Sequence, residues 1–199
     1  MPNTANEAWQ KAIREIDVAA ISELLESKPA LLNQGIVHTR SNGTTFDLMP
    51  LEMTNKSLDA TKLLVKAGAD PNKANPEGHA LPLHNSSHDV AEFLLESGAD
   101  VNKVGYEECT PLMYEVYMKN HELVRFFIER GADVNYQRQL DGFCPLHFAA
   151  QKHDTEMVDI LLAAGADTSL ENDDGQTPLD IATAKSATDI IHKLQATTG

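Results

Sequence analysis

The fold is decided by the stretch CPLHFAAQKHDTEMVDILLAAGADTS, residues 144–169. Its Pro145 suits the first turn of a helix, where proline already has a helical φ and its missing N–H would have no intrahelical partner. Its Gly165 follows a run with apolar residues at helical spacing, and glycine can adopt the left-handed conformation that ends a helix. The stretch therefore predicts two helices between a start signal and a stop signal.

Both signals recur along the chain. The stop signal Gly-Ala-Asp begins at Gly68, Gly98, Gly131 and Gly165, at intervals of 30, 33 and 34 residues. The start signal recurs as Thr110-Pro111-Leu112 and Thr177-Pro178-Leu179, and in weaker form as Met49-Pro50-Leu51 and Leu81-Pro82-Leu83-His84. Two signals that alternate in register indicate a tandem repeat of helix pairs.

With these start and stop motifs and a period of about 33 residues, the sequence resembles the ankyrin-repeat family. The resemblance implies an all-α fold, an ankyrin-repeat solenoid of helix-turn-helix units with β-hairpin fingers. We expect one domain over residues 1–199, similar to small stand-alone ankyrin proteins of bacteria and complete at both ends. Six repeats are expected, at approximately 5–36 (N-terminal cap), 37–72, 73–102, 103–135, 136–169 and 170–199 (C-terminal cap).

The second and third repeats are short. From the residue before the proline to the glycine of the stop signal they span 19 and 17 residues, against 21 in the fourth and fifth repeats. We expect their first helices, or the turns that follow, to be shortened, and residues 45–100 to be the least stable part of the array.

The connection between the first two repeats is long, and it contains Asn42-Gly43 between β-favouring residues. This pattern predicts a hairpin over residues 36–46. The sequence leaves open whether the hairpin is an idle loop or a second binding site. The residues of that possible second site are His38, Arg40, Asn42 and Phe46.

The charge balance excludes some partners. The chain has 16 Lys and Arg against 30 Asp and Glu, a net charge of −14. Because affinity for nucleic acid depends on cations that replace counterions, we expect no nucleic-acid binding. No apolar run approaches the roughly 18 residues of a membrane span, and no secretory signal is visible. We expect a soluble, cytoplasmic monomer with no membrane association.

No motif indicates catalysis. The family resemblance implies that His84 and His147 brace the start of their repeats through hydrogen bonds. Cys109 and Cys144 form no Cys-x-x-Cys pair, so we expect them to be buried apolar residues. The paired carboxylates fall in predicted loops, and no glycine spacing suits a phosphate loop. We expect no enzyme activity, no cofactor and no metal; an enzyme or metal protein that uses the histidines is the alternative from another class.

The resemblance places partner binding on a concave face formed by fingers and first helices. All four tyrosines fall in the fourth repeat or the following finger, and tyrosine is enriched at binding hot spots. Two roles stay open there: Tyr114 either packs internally or binds, and Glu115 either places a carboxylate at the groove edge or tilts its helix. The candidate protein-binding residues are Lys103, Tyr106, Glu107, Glu108, Tyr114, Tyr117, Met118, Tyr136, Arg138, Asp141, Phe143, Gln151, Lys152, Asp173 and Asp174.

The interspersed carboxylates make this surface acidic, which favours a basic protein partner. The sequence therefore predicts a non-catalytic protein-protein interaction module, with an inhibitor or immunity protein against a basic toxin or nuclease as one specific form. A scaffold or regulator that joins two partners is the alternative within the binding class.

Overall fold

A computed structural model describes residues 4–33, 35–39, 45–74 and 80–197. Its contacts divide the chain into two compact units, Met1–Asp100 (unit one) and Val101–Gly199 (unit two). The helices of unit one are α1 Thr4–Glu15, α2 Val18–Ser27, α3 Pro50–Met53, α4 Leu58–Lys66 and α5 His88–Glu96. Those of unit two are α6 Pro111–Tyr117, α7 His121–Glu129, α8 Pro145–Gln151, α9 Thr155–Ala163, α10 Pro178–Ala184 and α11 Thr188–Thr197. Short 3-10 turns lie at Pro29–Asn33 and Tyr106–Glu108. The fold is all-α, as predicted.

The predicted hairpin between the first two repeats is present. Strands β1 Ile36–Thr39 and β2 Thr45–Leu48 pair antiparallel, with Ile36 opposite Leu48 and His38 opposite Phe46. Two candidate residues of the possible second site, Arg40 and Asn42, lie outside the described residues.

The fingers of unit two are simpler than this hairpin. In the described part of the chain, each is closed by a few backbone hydrogen bonds, with no strand ladder. Gly105 N–H donates to Cys109 O at 2.9 Å, and Arg138 N–H donates to Phe143 O at 3.0 Å. The fingers at residues 101–110 and 134–144 are therefore compact loops that place side chains beside the first helices.

Unit one contains the shortened repeats. Helix α3 has four residues, and residues 82–85 form a turn where the third repeat would have its first helix. The shortening predicted from the sequence is therefore confirmed. The side-chain amide of Asn55 donates to His84 O at 2.8 Å, and Ser87 N–H donates to Asn55 O at 3.0 Å. These bonds join the turn between α3 and α4 to the turn that replaces the missing helix.

Unit two contains three complete helix pairs, α6/α7, α8/α9 and α10/α11. The apolar faces meet in a core that includes the fully buried Leu112, Phe127 and Leu146. Threonine caps the first helix of two pairs: Thr110 Oγ1 accepts from Met113 N–H at 3.3 Å, and Thr177 Oγ1 accepts from Asp180 N–H at 3.2 Å.

Within unit two, Asn102 and Asn135 each bond to the next stop loop along the chain. In unit two, the side-chain amide of Asn102 donates to Gly131 O at 3.1 Å, and its oxygen accepts from Asp133 N–H at 2.8 Å. Asn135 makes the same pair of bonds to the loop at Gly165. Gly131 has a φ of +85°, a conformation that glycine adopts without steric cost. The repeated Gly-Ala-Asp-x-Asn pattern is therefore a ladder of hydrogen bonds between neighbouring repeats.

Among the described residues, no helix combines the length and the hydrophobicity needed to cross a bilayer.

Candidate protein-binding site

A pocket of about 390 Å³ lies in unit two, between the 101–110 finger, α6, the 134–144 finger and α8. We call it the tyrosine pocket. Its lining residues are Tyr106, Glu107, Cys109, Tyr114, Tyr117, Met118, Arg138, Phe148 and Gln151. All but Cys109 and Phe148 are among the binding residues predicted from the sequence. The structure therefore brings about half of the predicted surface together around one cavity.

The rim of the pocket exposes three large apolar side chains. Tyr106, Tyr117 and Met118 are 42%, 47% and 52% exposed. In the part of the chain that the structure describes, six large hydrophobic side chains are exposed, and five of them fall within residues 104–140. Exposed apolar side chains grouped around one cavity, as Tyr106, Tyr117 and Met118 are, are typical of sites that bind another molecule.

The pocket is supported by an ion pair. Arg138 donates from Nε to Asp141 Oδ1 and from Nη2 to Asp141 Oδ2, both at 2.5 Å. Its side chain is only 12% exposed, and its guanidinium lies 4.9 Å from the ring centre of Phe148. Partial burial acts to raise the pKa of Asp141, but hydrogen bonds from Arg138 and from Phe143 N–H outweigh burial and lower it. Asp141 therefore stays ionised and neutralises Arg138 across the ordinary pH range.

Two other groups at the pocket are held neutral. Burial raises the pKa of the Cys109 thiol, although nearby Arg138 acts in the opposite direction. Partial burial also raises the pKa of Tyr114, with smaller contributions from Glu115 and Tyr106. At neutral pH the thiol and the phenol are therefore protonated.

The 101–110 finger holds Glu107 and Glu108 in an uncommon conformation. Their φ angles are +48° and +58°, in the left-handed region that side-chain-bearing residues rarely adopt. The Oε2 atom of Glu108 is also buried, with no hydrogen-bond partner among the described residues. Strained backbone persists where surrounding structure enforces it, and it often lies at binding sites.

Burial corrects the prediction for Phe143 and decides against one of the two alternatives left open for Glu115. Phe143 is only 9% exposed and stacks on Phe148 with ring centres 5.4 Å apart, so it supports the pocket wall and does not face a partner. Glu115 is 2% exposed and accepts a hydrogen bond from the side chain of Asn120 at 2.9 Å. Its carboxylate is therefore an internal group and does not lie at the groove edge. Tyr114 is half-buried and lines the pocket, so it both packs and contributes to the surface.

The remaining predicted residues of unit two lie outside the pocket lining. Lys152 places its Nζ 3.5 Å from the ring centre of Tyr117, beside the pocket. Tyr136 is half-buried, and its pKa is raised by burial, with a smaller contribution from Glu108. Asp173 N–H donates to Asp141 O at 3.0 Å and so joins two successive fingers. The exposed predicted residues outside the lining are Lys103, Asp173 and Asp174.

Sequence reasoning missed Cys109 and Phe148. Phe148 stands three residues after Pro145, as Tyr114 stands three residues after Pro111. Superposing the repeats would therefore have shown that both rings come from one repeat position. No comparable signal identifies Cys109, which the structure places in the lining through the tight turn of the 101–110 finger.

The histidine braces predicted from the resemblance are confirmed. Leu81 N–H donates to His84 Nδ1 at 3.3 Å, and Cys144 N–H donates to His147 Nδ1 at 3.1 Å. His147 Nε2 donates to Gln176 O at 2.9 Å, and burial lowers the pKa of His147. Both cysteines are buried, as expected. Within the described ranges, no three His, Cys, Asp or Glu side chains are grouped so as to hold a metal ion.

Comparison with known proteins supports the repeat assignment. A family model described as ankyrin repeats, three copies, matches residues 51–138 and 112–197, which together cover more than half of the chain. The mouse protein "Ankyrin repeat and SOCS box protein 5" is 49% identical over 47 residues, which is 24% of this chain and 14% of that relative. The chain thus aligns with only a small part of that curated relative. On the strength of the family match and of the repeat architecture, the chain belongs to the ankyrin-repeat family.

Proposed function

We propose that the chain is a non-catalytic protein-binding module, and that it binds a basic protein through the surface around the tyrosine pocket. Ankyrin repeats are generally protein-protein interaction modules. The observation that carries the choice of surface is the concentration of exposed apolar side chains within residues 104–140, beside a cavity with tyrosine walls. Aromatic side chains of this kind contribute most of the affinity at many protein interfaces.

The charge of unit two supports a basic partner. Residues 101–199 contain 8 Lys and Arg against 16 Asp and Glu. A negative field attracts a positively charged partner and raises its association rate, and salt weakens this attraction. The specific role we propose is that of an inhibitor or immunity protein, which would cover the functional surface of a basic enzyme.

Capture experiments test the proposal. Immobilised wild-type chain is compared with a Tyr106→Ala/Tyr117→Ala/Met118→Ala variant at low and high salt, and the dissociation constant is measured for each purified captured protein. We expect a basic protein whose capture weakens with salt, and an affinity loss of at least about tenfold in the variant. If the captured enzyme loses activity when bound, the inhibitor role is supported.

The matched control is Val37→Ala, which removes an exposed apolar side chain of β1 in unit one. The proposal fails if the triple variant binds the same partner with unchanged affinity, or if the captured protein is acidic.

The scaffold role is the second candidate. Its supporting observation is Val37 itself, which is 39% exposed on the β1–β2 hairpin, in a different unit from the tyrosine pocket. A second protein that is captured by wild type and lost in Val37→Ala, while the first remains bound, would support a scaffold.

A further inference from the structure

The lining of the tyrosine pocket carries almost no net charge. Its charged members are Glu107 and Arg138. Asp141 pairs with Arg138, and Lys152 lies on the Tyr117 ring, so two positive groups balance two carboxylates at the pocket. The burial that raises the pKa values of Cys109 and Tyr114 keeps both side chains protonated. The cavity is therefore neutral, although it lies in a strongly acidic unit.

A cation is poorly suited to this cavity. The Arg138 guanidinium is part of the lining and lies 4.9 Å from the Phe148 ring centre, and Lys152 Nζ lies 3.5 Å from the Tyr117 ring centre. Two aromatic walls thus already interact with positive groups of the chain itself. A third positive charge would gain less from these rings and would be repelled by the ammonium of Lys152.

An anion is also poorly suited. Two N–H groups of Arg138, on Nε and Nη2, are directed to Asp141, and its Nη1 lies 3.9 Å from the Cys109 sulfur. An anion would also meet the carboxylate of Glu107 and the negative field of unit two. A neutral group avoids both penalties.

We propose that the tyrosine pocket receives a neutral aromatic side chain of the partner, and that the basic residues of the same partner segment remain outside it. The volume of about 390 Å³ is in the range of pockets that enclose small organic groups. Exposed carboxylates are available on unit two for the flanking basic residues: Glu107 in the 101–110 finger, and Asp173 and Asp174 in the loop before α10. Affinity then comes from the buried ring, and the charges steer the encounter. This inference rests on the proposed function and specifies the partner's chemistry.

Three probes that share one ring test the inference: benzyl alcohol (neutral), benzylammonium (positive) and benzoate (negative). Each is titrated at pH 7 into isotope-labelled full-length protein, and amide chemical shifts are followed by NMR. We expect the largest shifts at the pocket residues, and a dissociation constant for benzyl alcohol at least about fivefold below those of the charged probes. That ratio corresponds to about 1 kcal/mol.

Two pairs of variants make the test specific. Tyr117→Ala should weaken benzyl alcohol binding, whereas Leu140→Ala, which removes an exposed apolar side chain outside the lining, should leave it unchanged. Lys152→Gln should bring the affinity for benzylammonium closer to that for benzyl alcohol. Lys185→Gln makes the same charge change at an exposed position after α10 and should not.

Tighter binding of benzylammonium would show a cation site, and tighter binding of benzoate would show an anion site at Arg138. Either result, or no shift at the pocket with any probe, overturns the inference. If the capture experiment succeeds and the probe series fails, the proposed function stands, and only the inference that a neutral aromatic side chain enters the pocket is wrong. If the probes behave as expected and the triple variant still captures its partner, the pocket accepts neutral rings but the partner binds elsewhere.

Discussion

Replacing Arg138 by lysine should loosen the support of the tyrosine pocket. The substitution keeps the positive charge but removes the planar fork that donates to both oxygens of Asp141. It also removes the flat guanidinium that lies on Phe148. A lysine ammonium can replace at most one of the two directed hydrogen bonds.

The magnitude follows from these contacts. A hydrogen bond to a charged group contributes about 1.5–3 kcal/mol when it is well buried. Because Asp141 is 33% exposed, solvent reduces this to about 1–2 kcal/mol for the lost bond. Loss of the stacked guanidinium adds roughly 0.5–1 kcal/mol. We therefore expect Arg138→Lys to lower the free energy of unfolding by about 2 kcal/mol.

The assay is a double-mutant cycle with Asp141→Asn, read by urea denaturation at several pH values. The coupling between the two positions should be about 1 kcal/mol or more at pH 7. Because the folded-state pKa of Asp141 is below its ordinary value near 3.8, the stabilisation is complete above about pH 4. It should disappear as the pH falls further and the carboxylate is protonated.

Coupling below about 0.3 kcal/mol at pH 7 would contradict the reasoning, because the pair would then be no stronger than an ordinary surface ion pair. Coupling that does not weaken at all as the pH is lowered from about 4 to the acid unfolding of the protein would contradict the assignment to the ionised carboxylate of Asp141.

Four further predictions concern other parts of the chain. Burial lowers the pKa of His147, so as the pH falls its imidazole is protonated in the unfolded state before it is protonated in the folded state. The free energy of unfolding should therefore fall as the pH drops below about 6.5. Burial raises the thiol pKa of Cys109 and Cys144, so both should react with a thiol reagent at pH 7.5 much more slowly than they do in the unfolded chain. Glu108→Gly removes the strain of a left-handed backbone at a side-chain-bearing residue and also removes a buried oxygen without a hydrogen bond. It should stabilise the protein by about 1 kcal/mol in thermal denaturation. Hydrogen exchange of the free chain should show earliest opening within residues 45–100, where α3 is a single turn.

Each of these has a contrary outcome. An imidazole that titrates in the folded protein at 6.5 or above would show that burial does not control His147. Rapid labelling of either thiol in the folded state would mean that the thiol is accessible and reactive. A destabilised Glu108→Gly chain would show that the carboxylate contributes more than its strained backbone costs. Uniform protection across all repeats would contradict a weak region at residues 45–100.

Much of the fold was accessible from the sequence because the repeat signals act locally. Pro111 after Thr110 starts a capped helix, and Gly131 ends the helix that follows. These signals need only neighbouring residues, so their positions also indicated where helices begin and end and which units are shortened. The predicted hairpin depended on a local pattern as well.

The details of the site depend on packing between repeats, which a single repeat does not specify. Phe143 is a finger residue, but it turns inward because the ring of Phe148 lies within stacking distance. Glu115 stands four residues after Pro111, where the next two repeats have Ala149 and Ala182, and it is tolerated inside because Asn120 donates to it. Arg138 contributes little net charge because its guanidinium is paired with the carboxylate of Asp141, three residues later. In each case a partner side chain in the folded structure decides what the residue does.

Hydrogen exchange of the chain with and without its captured partner tests whether the partner binds around the tyrosine pocket. We expect new protection at residues 103–118 and 136–151, which contain the two fingers and first helices around the pocket, with residues 4–33 unchanged. Protection confined to residues 4–33, or to the second helices α7, α9 and α11, would contradict it.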